Sequence, residues 1–164
     1  LSGLEVEENA NTFNENALIK AMAFSKAAGM PAIADDSGLE IDALDLRPGV
    51  FSARYSGDNA NDKSNRMKVL DEMKNIPENE RLARFICVIC YYDNHNIIYG
   101  EGKVEGKIIF EEKGNGGFGY DTIFVPINHN LTFAEMNQDE KNAISHRRNA
   151  ILDLINNLKS KNII

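Results

Sequence analysis

The sequence predicts an α/β fold, bordering on α+β, in which helices flank a mixed, twisted β-sheet. Apolar residues at helical spacing open and close the chain, strand-like apolar runs fill its middle, and neither a repeat nor a long linker divides it. Its 164 residues suit one domain with a buried core. We therefore expect a single domain over 1–164, with any active site in a cleft between two lobes.

The first predicted elements surround an acidic segment. A helix is expected over 13–28, because a capping-box pattern of Thr and Glu opens this run and a glycine ends it. A short apolar strand over 31–34 then stops at Asp35 and Asp36, and 39–43 alternates as a further, half-buried strand. The prediction thus places two carboxylates where a strand ends.

The remaining elements follow from the same periodicities. A second helix near 60–75 is expected to bury its apolar side chains, which are Met67, Leu70 and Met73. The strands expected after it are 83–92, 96–103, 104–110 and, beyond a glycine-rich loop, 122–125. A capping box at Thr132 predicts a short helix, and Ser145 is expected to cap a last helix that buries Ile151, Leu154, Ile155 and Leu158.

Charge and composition restrict the classes of function. The net charge is −7 and the pI about 5.0, whereas binding a nucleic-acid polymer needs a basic face. The sequence shows neither a bilayer-spanning apolar stretch nor a signal-peptide pattern. We therefore expect a cytoplasmic protein without membrane or polymeric nucleic-acid partners. Because the chain starts at Leu1 rather than Met, we also expect the natural protein to be longer at this end.

Asp35 and Asp36 are the first candidates for chemistry. Ligands of open α/β sheets gather at the carboxyl ends of strands, where adjacent carboxylates can hold a hard cation such as Mg²⁺. One carboxylate can also accept a proton from an attacking water. A turn built on aspartate side chains, with Ser37 and a glycine at its corner, explains the same residues equally well.

The loop over 114–119 and the residues after it combine glycines, aromatic rings and an acid. Phe118 and Tyr120 can stack on a nucleobase, which contributes about 1–3 kcal/mol per base, and Asp121 can accept base N–H groups. The formal G-x-G-x-x-G pattern does not indicate a dinucleotide fold, because a strand is predicted after it. A hairpin with its aromatic rings in the core is the alternative, which the loop on its own favours.

Basic residues crowd the start of the last predicted helix at His146, Arg147 and Arg148. Cations at this end oppose the helix dipole by about 0.3–1 kcal/mol each, and a local rule broken without visible gain often marks a functional site. His146 and Arg147 can donate to a purine carbonyl oxygen, and Lys141 can reach a base or a phosphate. A solvated basic patch is the alternative.

Five motifs occur in an order that resembles the inosine triphosphate pyrophosphatase family, and they cover nearly the whole chain. They are Thr12-Phe13-x-Glu15-Asn16-Ala17, Ala32-Ile33-Ala34-Asp35-Asp36-Ser37-Gly38-Leu39, Pro48-Gly49-Val50-x-Ser52-Ala53-Arg54-Tyr55, Gly116-Gly117-Phe118-Gly119-Tyr120-Asp121 and Ser145-His146-Arg147. The resemblance implies hydrolysis of non-standard purine nucleoside triphosphates (ITP, dITP, XTP) to the monophosphate and pyrophosphate. It also implies Mg²⁺, a homodimer and a cytosolic setting.

The resemblance further implies roles for individual residues. Asp36 matches the metal-binding proton acceptor, and Ser37 matches a substrate contact. Glu7 or Glu8 falls where the family has another metal carboxylate, although both also suit a solvated surface. Lys20 is expected to face phosphate. The base pocket implied by the resemblance consists of Phe118, Gly119, Tyr120, Asp121, Lys141, His146 and Arg147.

The chain departs from the family pattern at its start. The family opens with a strand and a Thr-Gly-Asn-x-x-Lys loop that binds the triphosphate, and this sequence does not contain them. We therefore expect the domain to be N-terminally incomplete. Two other functions stay open: a non-catalytic, dimeric nucleotide-binding module, and a pyrophosphatase for other modified nucleotides.

Overall fold

The structure, a computed structural model, describes residues 6–164. Within them the chain forms four α-helices, which are α1 (Phe13–Ala28), α2 (Asp62–Glu72), α3 (Gln138–Ile144) and α4 (His146–Ser160). One sheet contains, in spatial order, β1 (Ala32–Ile41), β2 (Leu82–Tyr92), β3 (Ile97–Ile108) and β4 (Phe124–Pro126). This combination of helices and a sheet confirms the predicted α/β class.

Helix α1 has the predicted bounds, and its two ends explain them. At the start, Thr12 Oγ1 accepts the N–H of Glu15 at 3.2 Å. At the end, Gly29 adopts the left-handed conformation with φ 67°, and its N–H donates to Ser25 O at 2.8 Å. The helix between these caps keeps one face fully buried, including the side chain of Asn16.

Strand β1 corrects the prediction of a strand that ends before the acidic segment. It runs unbroken through both aspartates, so the carboxylates lie within a strand. Ala34, Asp36 and Gly38 are buried on one face, because alternate residues of a strand point the same way. The buried carboxylate is tolerated because Asn16 and Lys20 of α1 offer hydrogen-bond donors to it.

The predicted burial along helix α2 is confirmed in part, since Met73 is buried and Leu70 is partly buried. Met67 is 49% exposed, so its predicted burial is wrong. Val69 and Met73 are fully buried, Asn65 is buried and Leu70 is partly buried. The buried positions are four residues apart, whereas the predicted set was three apart, and both spacings are compatible with a helix.

A single strand, β3, replaces the two strands predicted over 96–103 and 104–110. Its residues alternate between buried and exposed along its whole length. The strand continues unbroken through Gly100 and Gly102. Glycine is needed at both positions, because a Cβ would collide with the backbone of α4. These glycines therefore allow the first turns of α4 to pack directly on the strand.

The last third of the chain contains two further differences. The strand predicted over 122–125 begins later, at β4, because Asp121–Ile123 forms a 3₁₀ turn. The capping box does form, since Thr132 N donates to Glu135 Oε2 at 2.8 Å and Glu135 N donates to Thr132 Oγ1 at 3.2 Å. These bonds close only a turn, and the next helix is α3, which has its own capping box at Asn137.

Helix α4 buries part of the predicted set. Leu154 and Leu158 are buried as expected, and Ile155 is half-buried. Ile151 is 45% exposed, contrary to the prediction, and Ala150 is buried in its place. The helix therefore packs along the line of residues four apart that faces the glycines of β3.

The described residues divide into two compact units, each with its own core. Unit 1 comprises 6–37, 87–103 and 146–164, and its core consists of Cys87, Ile89, Ile98, Ala150, Leu154 and Leu158. Unit 2 comprises 38–86 and 104–145, and its core includes Leu39, Ile41, Val69, Phe85, Phe124 and Phe133. Among residues 6–164, no helix has both the length and the apolar character that a bilayer span requires.

Unit 2 contains a buried cation that the sequence analysis did not identify. Arg81 is 1% exposed, and burial lowers the pKa of its guanidinium. The guanidinium donates to four backbone oxygens, those of Met73 at 2.6 Å, Ile76 at 3.0 Å, Ile108 at 2.7 Å and Ile109 at 3.1 Å. Arg81 is thus a structural residue that binds two stretches of backbone.

Candidate active site

Asp36 lies among polar side chains of unit 1. Its carboxylate accepts a hydrogen bond from Asn16 Nδ2 at 3.2 Å and lies 3.5 Å from Lys20 Nζ. Lys20 Nζ also lies 3.2 Å from Glu8 Oε2. Helix α1 brings Asn16 and Lys20 to β1 together, because residues four apart share a helix face. We call Glu8, Asn16, Lys20 and Asp36 the carboxylate–lysine cluster.

Asn16 is a residue of this cluster to which the sequence analysis gave no role. Its side chain is fully buried, and its Oδ1 accepts the N–H of Ala10 at 3.1 Å while its Nδ2 donates to Asp36. One amide therefore holds both the segment before α1 and the carboxylate of Asp36. The signal that could have indicated it is a polar residue one helical turn before Lys20, on the apolar side of the helix.

The electrostatics of Asp36 are those of a shielded acid. Burial raises the pKa of its carboxyl above the ordinary value, and the nearby carboxylate of Glu8 acts in the same direction. The ammonium of Lys20 and the hydrogen bond from Asn16 lower the pKa, but they do not cancel the effect of burial. Asp36 is therefore a more basic carboxylate than an exposed aspartate.

Asp35 points to the opposite side of β1 and has different partners. Its Oδ2 accepts hydrogen bonds from Ser37 Oγ and from Arg147 Nη2, each at 3.2 Å. The pair with Arg147 is 46% exposed on the arginine side and 40% on the aspartate side. The two adjacent aspartates are thus separated by strand geometry, since Asp36 faces α1 and Asp35 faces α4.

The two glutamates predicted as metal ligands differ in position. Glu8 is half-buried and contacts Lys20, whereas Glu7 is exposed and lies outside the carboxylate–lysine cluster. Within residues 6–164, no group of three His, Cys, Asp or Glu side chains is arranged to hold a metal ion. Mg²⁺ commonly uses one or two protein carboxylates together with water and substrate phosphates, so Asp36 and Glu8 are a suitable donor pair.

Unit 2 brings together a second group of predicted residues. Asp121 and Lys141 form a buried ion pair, and the N–H of Phe118 donates to Asp121 Oδ2 at 2.9 Å. Lys141 Nζ lies 4.6 Å from the ring centre of Phe118 and 5.5 Å from that of Phe133. We call Phe118, Asp121, Phe133 and Lys141 the aromatic–lysine cluster. The cluster thus connects Asp121, which follows the glycine-rich loop, to Lys141 of helix α3.

The aromatic residues of the loop have different environments. Phe118 is 62% exposed, so its ring is available for stacking. Tyr120 is buried in the core of unit 2, and its hydroxyl donates to Ser52 O at 2.6 Å. Burial raises the pKa of the Tyr120 hydroxyl. The expectation of a ring turned into the core thus describes Tyr120, while Phe118 retains a free face.

The first turn of α4 carries three basic residues, as predicted. Ser145 lies directly before it, with extended backbone, at the position expected for the cap. His146 is buried, and its carbonyl oxygen is one of the atoms that a Cβ at Gly102 would meet. Arg147 reaches Asp35 from this turn. The structure therefore fixes the start of α4 by close packing against β3.

The fold and these clusters define a mixed α/β protein with one polar cluster built on a buried carboxylate and another built on an exposed aromatic ring. The chain belongs to the Ham1 family, which it matches over residues 1–157. It is 49% identical over 148 residues to the dITP/XTP pyrophosphatase of Oceanobacillus iheyensis, covering 90% of this chain and 75% of that protein. It is 51% identical over 151 residues to the protein of the same name from Halalkalibacterium halodurans, covering 92% of this chain and 78% of that protein.

Solved structures agree with this assignment. The Ham1 protein of Staphylococcus aureus matches with a TM-score of 0.89 and 41% identity, over 97% of this chain and 82% of that one. A HAM1 protein from Coxiella burnetii matches with the same TM-score and 45% identity, over 97% of this chain and 82% of that one. The family resemblance drawn from the five motifs is therefore confirmed.

Proposed function

We propose that this chain hydrolyses non-standard purine nucleoside triphosphates, namely ITP, dITP and XTP, to the monophosphate and pyrophosphate. The reaction would remove these nucleotides from the cellular pool. The observation that carries the proposal is the buried carboxylate of Asp36, held beside Lys20 in the carboxylate–lysine cluster. The names of the relatives from O. iheyensis and H. halodurans support the choice of substrate.

Asp36 is proposed as the group that accepts a proton from the attacking water. Its raised pKa makes it a better base than an exposed aspartate, and its hydrogen bond from Asn16 fixes its orientation. Lys20 is proposed to bind a phosphate oxygen, since its ammonium already lies between two carboxylates and would remain compensated after substrate leaves. The chain's own contribution is thus a positioned base and a positioned cation.

We propose that Asp36 and Glu8 hold Mg²⁺, with Glu7 outside this set. When bound, Mg²⁺ would neutralise part of the triphosphate charge. The two carboxylates already share one ammonium group, which supports the proposal of a cation at this place in unit 1. Ser37, which donates to Asp35, is proposed as a further substrate contact.

The base is proposed to be recognised by polar groups that suit a deaminated purine. Such a base carries an oxygen at C6 and a protonated N1. Phe118 would stack on the ring, and Asp121 would accept N1–H. The donors that the family resemblance implies for O6 are His146 and Arg147, and Lys141 is proposed as a further contact to the base or a phosphate. An amino group at C6 would leave these donors unpaired, which disfavours adenine.

We also propose that the protein acts as a homodimer in the cytoplasm and binds neither membranes nor nucleic-acid polymers. The family resemblance implies the dimer, and the net charge of −7 disfavours polyanionic partners. Analytical ultracentrifugation at micromolar concentration tests the dimer, for which we expect a molar mass about twice the 18.3 kDa of the chain. A single species at the chain mass would contradict it.

The experiment that tests the function is pyrophosphate release from ITP with Mg²⁺, compared with ATP and GTP. It is run on this chain and on a form extended by the phosphate-loop segment that the family resemblance implies. A strong preference for ITP in either form supports the proposal. Tight nucleotide binding without turnover in both forms would favour the non-catalytic module, and preference for modified pyrimidines would overturn the assignment of the base site.

A further inference from the structure

Gly119, in the loop that carries Phe118, has both of its backbone groups bound to side chains of α2. Its N–H donates to Asp62 Oδ2 at 2.7 Å. Its carbonyl oxygen accepts from Arg66 Nη1 at 2.9 Å. A single peptide residue is therefore held from both sides by two charged groups of one helix, an arrangement that we call the Gly119 clamp (Asp62, Arg66 and Gly119).

Helix α2, which carries Asp62 and Arg66, is well anchored in unit 2. Asp62 and Arg66 are four residues apart and so share one face of the helix. The start of the helix is fixed by a reciprocal capping box between Asn61 and Ser64. Further along, Val69 is fully buried in the core of unit 2. The side chains that hold Gly119 therefore project from an element with a defined start and a buried anchor.

Arg66 is itself held in place by residues that precede and follow the loop. It forms an ion pair with Glu112, which also accepts a hydrogen bond from Thr122 Oγ1 at 2.7 Å. These contacts lower the pKa of Glu112, and the hydrogen bond from Thr122 is the largest single cause. The Arg66 side chain is only 16% exposed, so it is more constrained than an ordinary surface arginine.

The loop needs such restraint. Gly119 has φ 58°, in the left-handed region that favours glycine, and a Cβ built on it would meet nothing within 4 Å. A cavity of about 580 Å³, bordered by Asp62, Arg66 and residues of the loop, lies beside it. No neighbouring side chain packs at the Cβ position of Gly119, and the two hydrogen bonds from α2 restrain its peptide groups.

What restrains Gly119 also places its neighbours. Phe118 precedes it, with an exposed ring and an N–H bound to Asp121. On the other side, Tyr120 is fixed by the core and by its bond to Ser52 O. Gly119 thus connects the exposed Phe118, whose ring lies over Lys141, to the buried Tyr120.

We propose that Asp62 and Arg66 are positioning residues for base recognition, which act by holding the Gly119 peptide so that Phe118 and Asp121 meet the purine in a fixed geometry. This inference rests on the proposed function of the same site. No motif of the family resemblance includes either residue, since both lie on α2, between the third and the fourth of the five motifs. Neither residue would touch the substrate.

The test uses Asp62→Ala and Arg66→Ala, with Asp71→Ala as the matched control. Asp71 is on the same helix, is highly exposed and pairs with Lys74, three residues further along the chain. The first readout is amide hydrogen exchange at Gly119, measured by NMR. We expect exchange at least tenfold faster in both clamp variants and unchanged in the control. Exchange that stays as slow as in the original chain would overturn the clamp.

The second readout separates positioning from general destabilisation. We expect KM for ITP to rise at least fivefold in both clamp variants, with kcat within twofold, and the preference for ITP over ATP to fall by a similar factor. A loss confined to kcat, or an unchanged preference, would overturn the role in base recognition. Should Asp62→Ala fail to fold, Asp62→Asn keeps the shape of the side chain but is a weaker acceptor, and the same shifts at smaller size are expected.

The failure of the proposed function is recognisable separately. If the original chain and its extended form release no pyrophosphate from ITP, the proposed function fails. The inference is then decided by calorimetric titration with ITP and ATP. A preference for ITP that is lost in the clamp variants supports it, whereas equal binding of both nucleotides by the original chain overturns it.

Discussion

Two adjacent carboxylates acquire different chemistry here because a strand separates them. Asp36 is buried against α1, whereas Asp35 is half-exposed and paired with Arg147. Neighbouring residues in a strand always face opposite sides, so the same side chain meets different donors. The difference is therefore a property of the backbone and not of the residue type.

The first prediction concerns these aspartates. Asp36→Asn should lower kcat for ITP by about 10²–10⁴-fold, the usual contribution of a positioned base. Asp35→Asn should retain a measurable part of the activity, because Asp35 contacts Arg147 and Ser37 and is not the proposed proton acceptor. Steady-state pyrophosphate release measures both. The opposite ranking of the two variants would mean that the roles are reversed.

Asp93, in the turn between β2 and β3, allows a prediction about pH. Its pKa is lowered to about 2, mainly by the side chain of Asn96, with help from the backbone N–H groups of Asn96 and His95. A depressed pKa means that the ionised form favours the fold. This contribution is complete above the ordinary value of 3.8 and is lost as the pH falls toward 2.

Asn96→Ala should therefore raise the pKa of Asp93 toward 3.8, as followed by carboxyl ¹³C shifts during an NMR titration. His95→Ala is the control, since it keeps the backbone donor to Asp93. A pKa that stays near 2 in Asn96→Ala would show that the backbone donors and the Tyr91 hydroxyl hold the carboxylate without the Asn96 side chain.

Arg81 gives the third prediction. Arg81→Met should reduce the free energy of unfolding by about 2–4 kcal/mol, because four backbone oxygens lose their donor inside the protein. Urea unfolding followed by circular dichroism measures the change. Lys74→Met removes an exposed ion pair instead and should change stability by less than about 0.5 kcal/mol. Equal effects of the two variants would refute the structural role.

At the scale of elements, the sequence predicted those that have clear ends. Helix α1 was predicted with its bounds because its caps are local, at Thr12 and Gly29. The acidic stretch of β1 was predicted as a strand end, since its stabilising donors come from α1 and are not visible in the local pattern. Likewise, β3 was predicted as two strands, whereas it runs unbroken through Gly100 and Gly102, which the close approach of α4 requires.

The candidate site was predictable to the same extent. The family resemblance implied roles for Asp36 and Lys20, and the structure brings these two side chains together. Asn16 was not assigned a role, because only the fold shows that its amide reaches a residue on β1. The direction of Tyr120 into the core also required the structure.

The packing of α4 on β3 gives the fourth prediction. Gly102→Ala should lower stability by about 1–3 kcal/mol, because the added Cβ would collide with His146 O and Ala150 N. Thermal unfolding measures this. Lys103→Ala, at the next and outward-facing position, should have little effect. Equal melting temperatures of Gly102→Ala and the original chain would show that α4 can shift without cost.

At the scale of the molecule, each of the two units carries its own core and its own polar cluster. The carboxylate–lysine cluster belongs to unit 1, and the aromatic–lysine cluster belongs to unit 2. The sequence analysis expected two lobes but not which segments form each unit, because both units are assembled from segments that are far apart in the chain. Contacts between distant segments leave no local pattern.

The fifth prediction concerns divalent cations. Chelation with EDTA should abolish pyrophosphate release from ITP, and added Mg²⁺ should restore it, since Asp36 and Glu8 are proposed to need a cation to receive a triphosphate. Circular dichroism before and after chelation serves as the control for folding. Full turnover in EDTA would contradict the proposed metal requirement.

The buried guanidinium of Arg81 couples the local unfolding of two stretches of unit 2. Its four acceptors belong to two stretches, the turn at Met73 and Ile76 and the end of β3 at Ile108 and Ile109. If either stretch opened alone, the cation would lose half of its acceptors while still surrounded by protein, which is unfavourable. Local opening of one stretch should therefore entail opening of the other, so that the two behave as a single cooperative block.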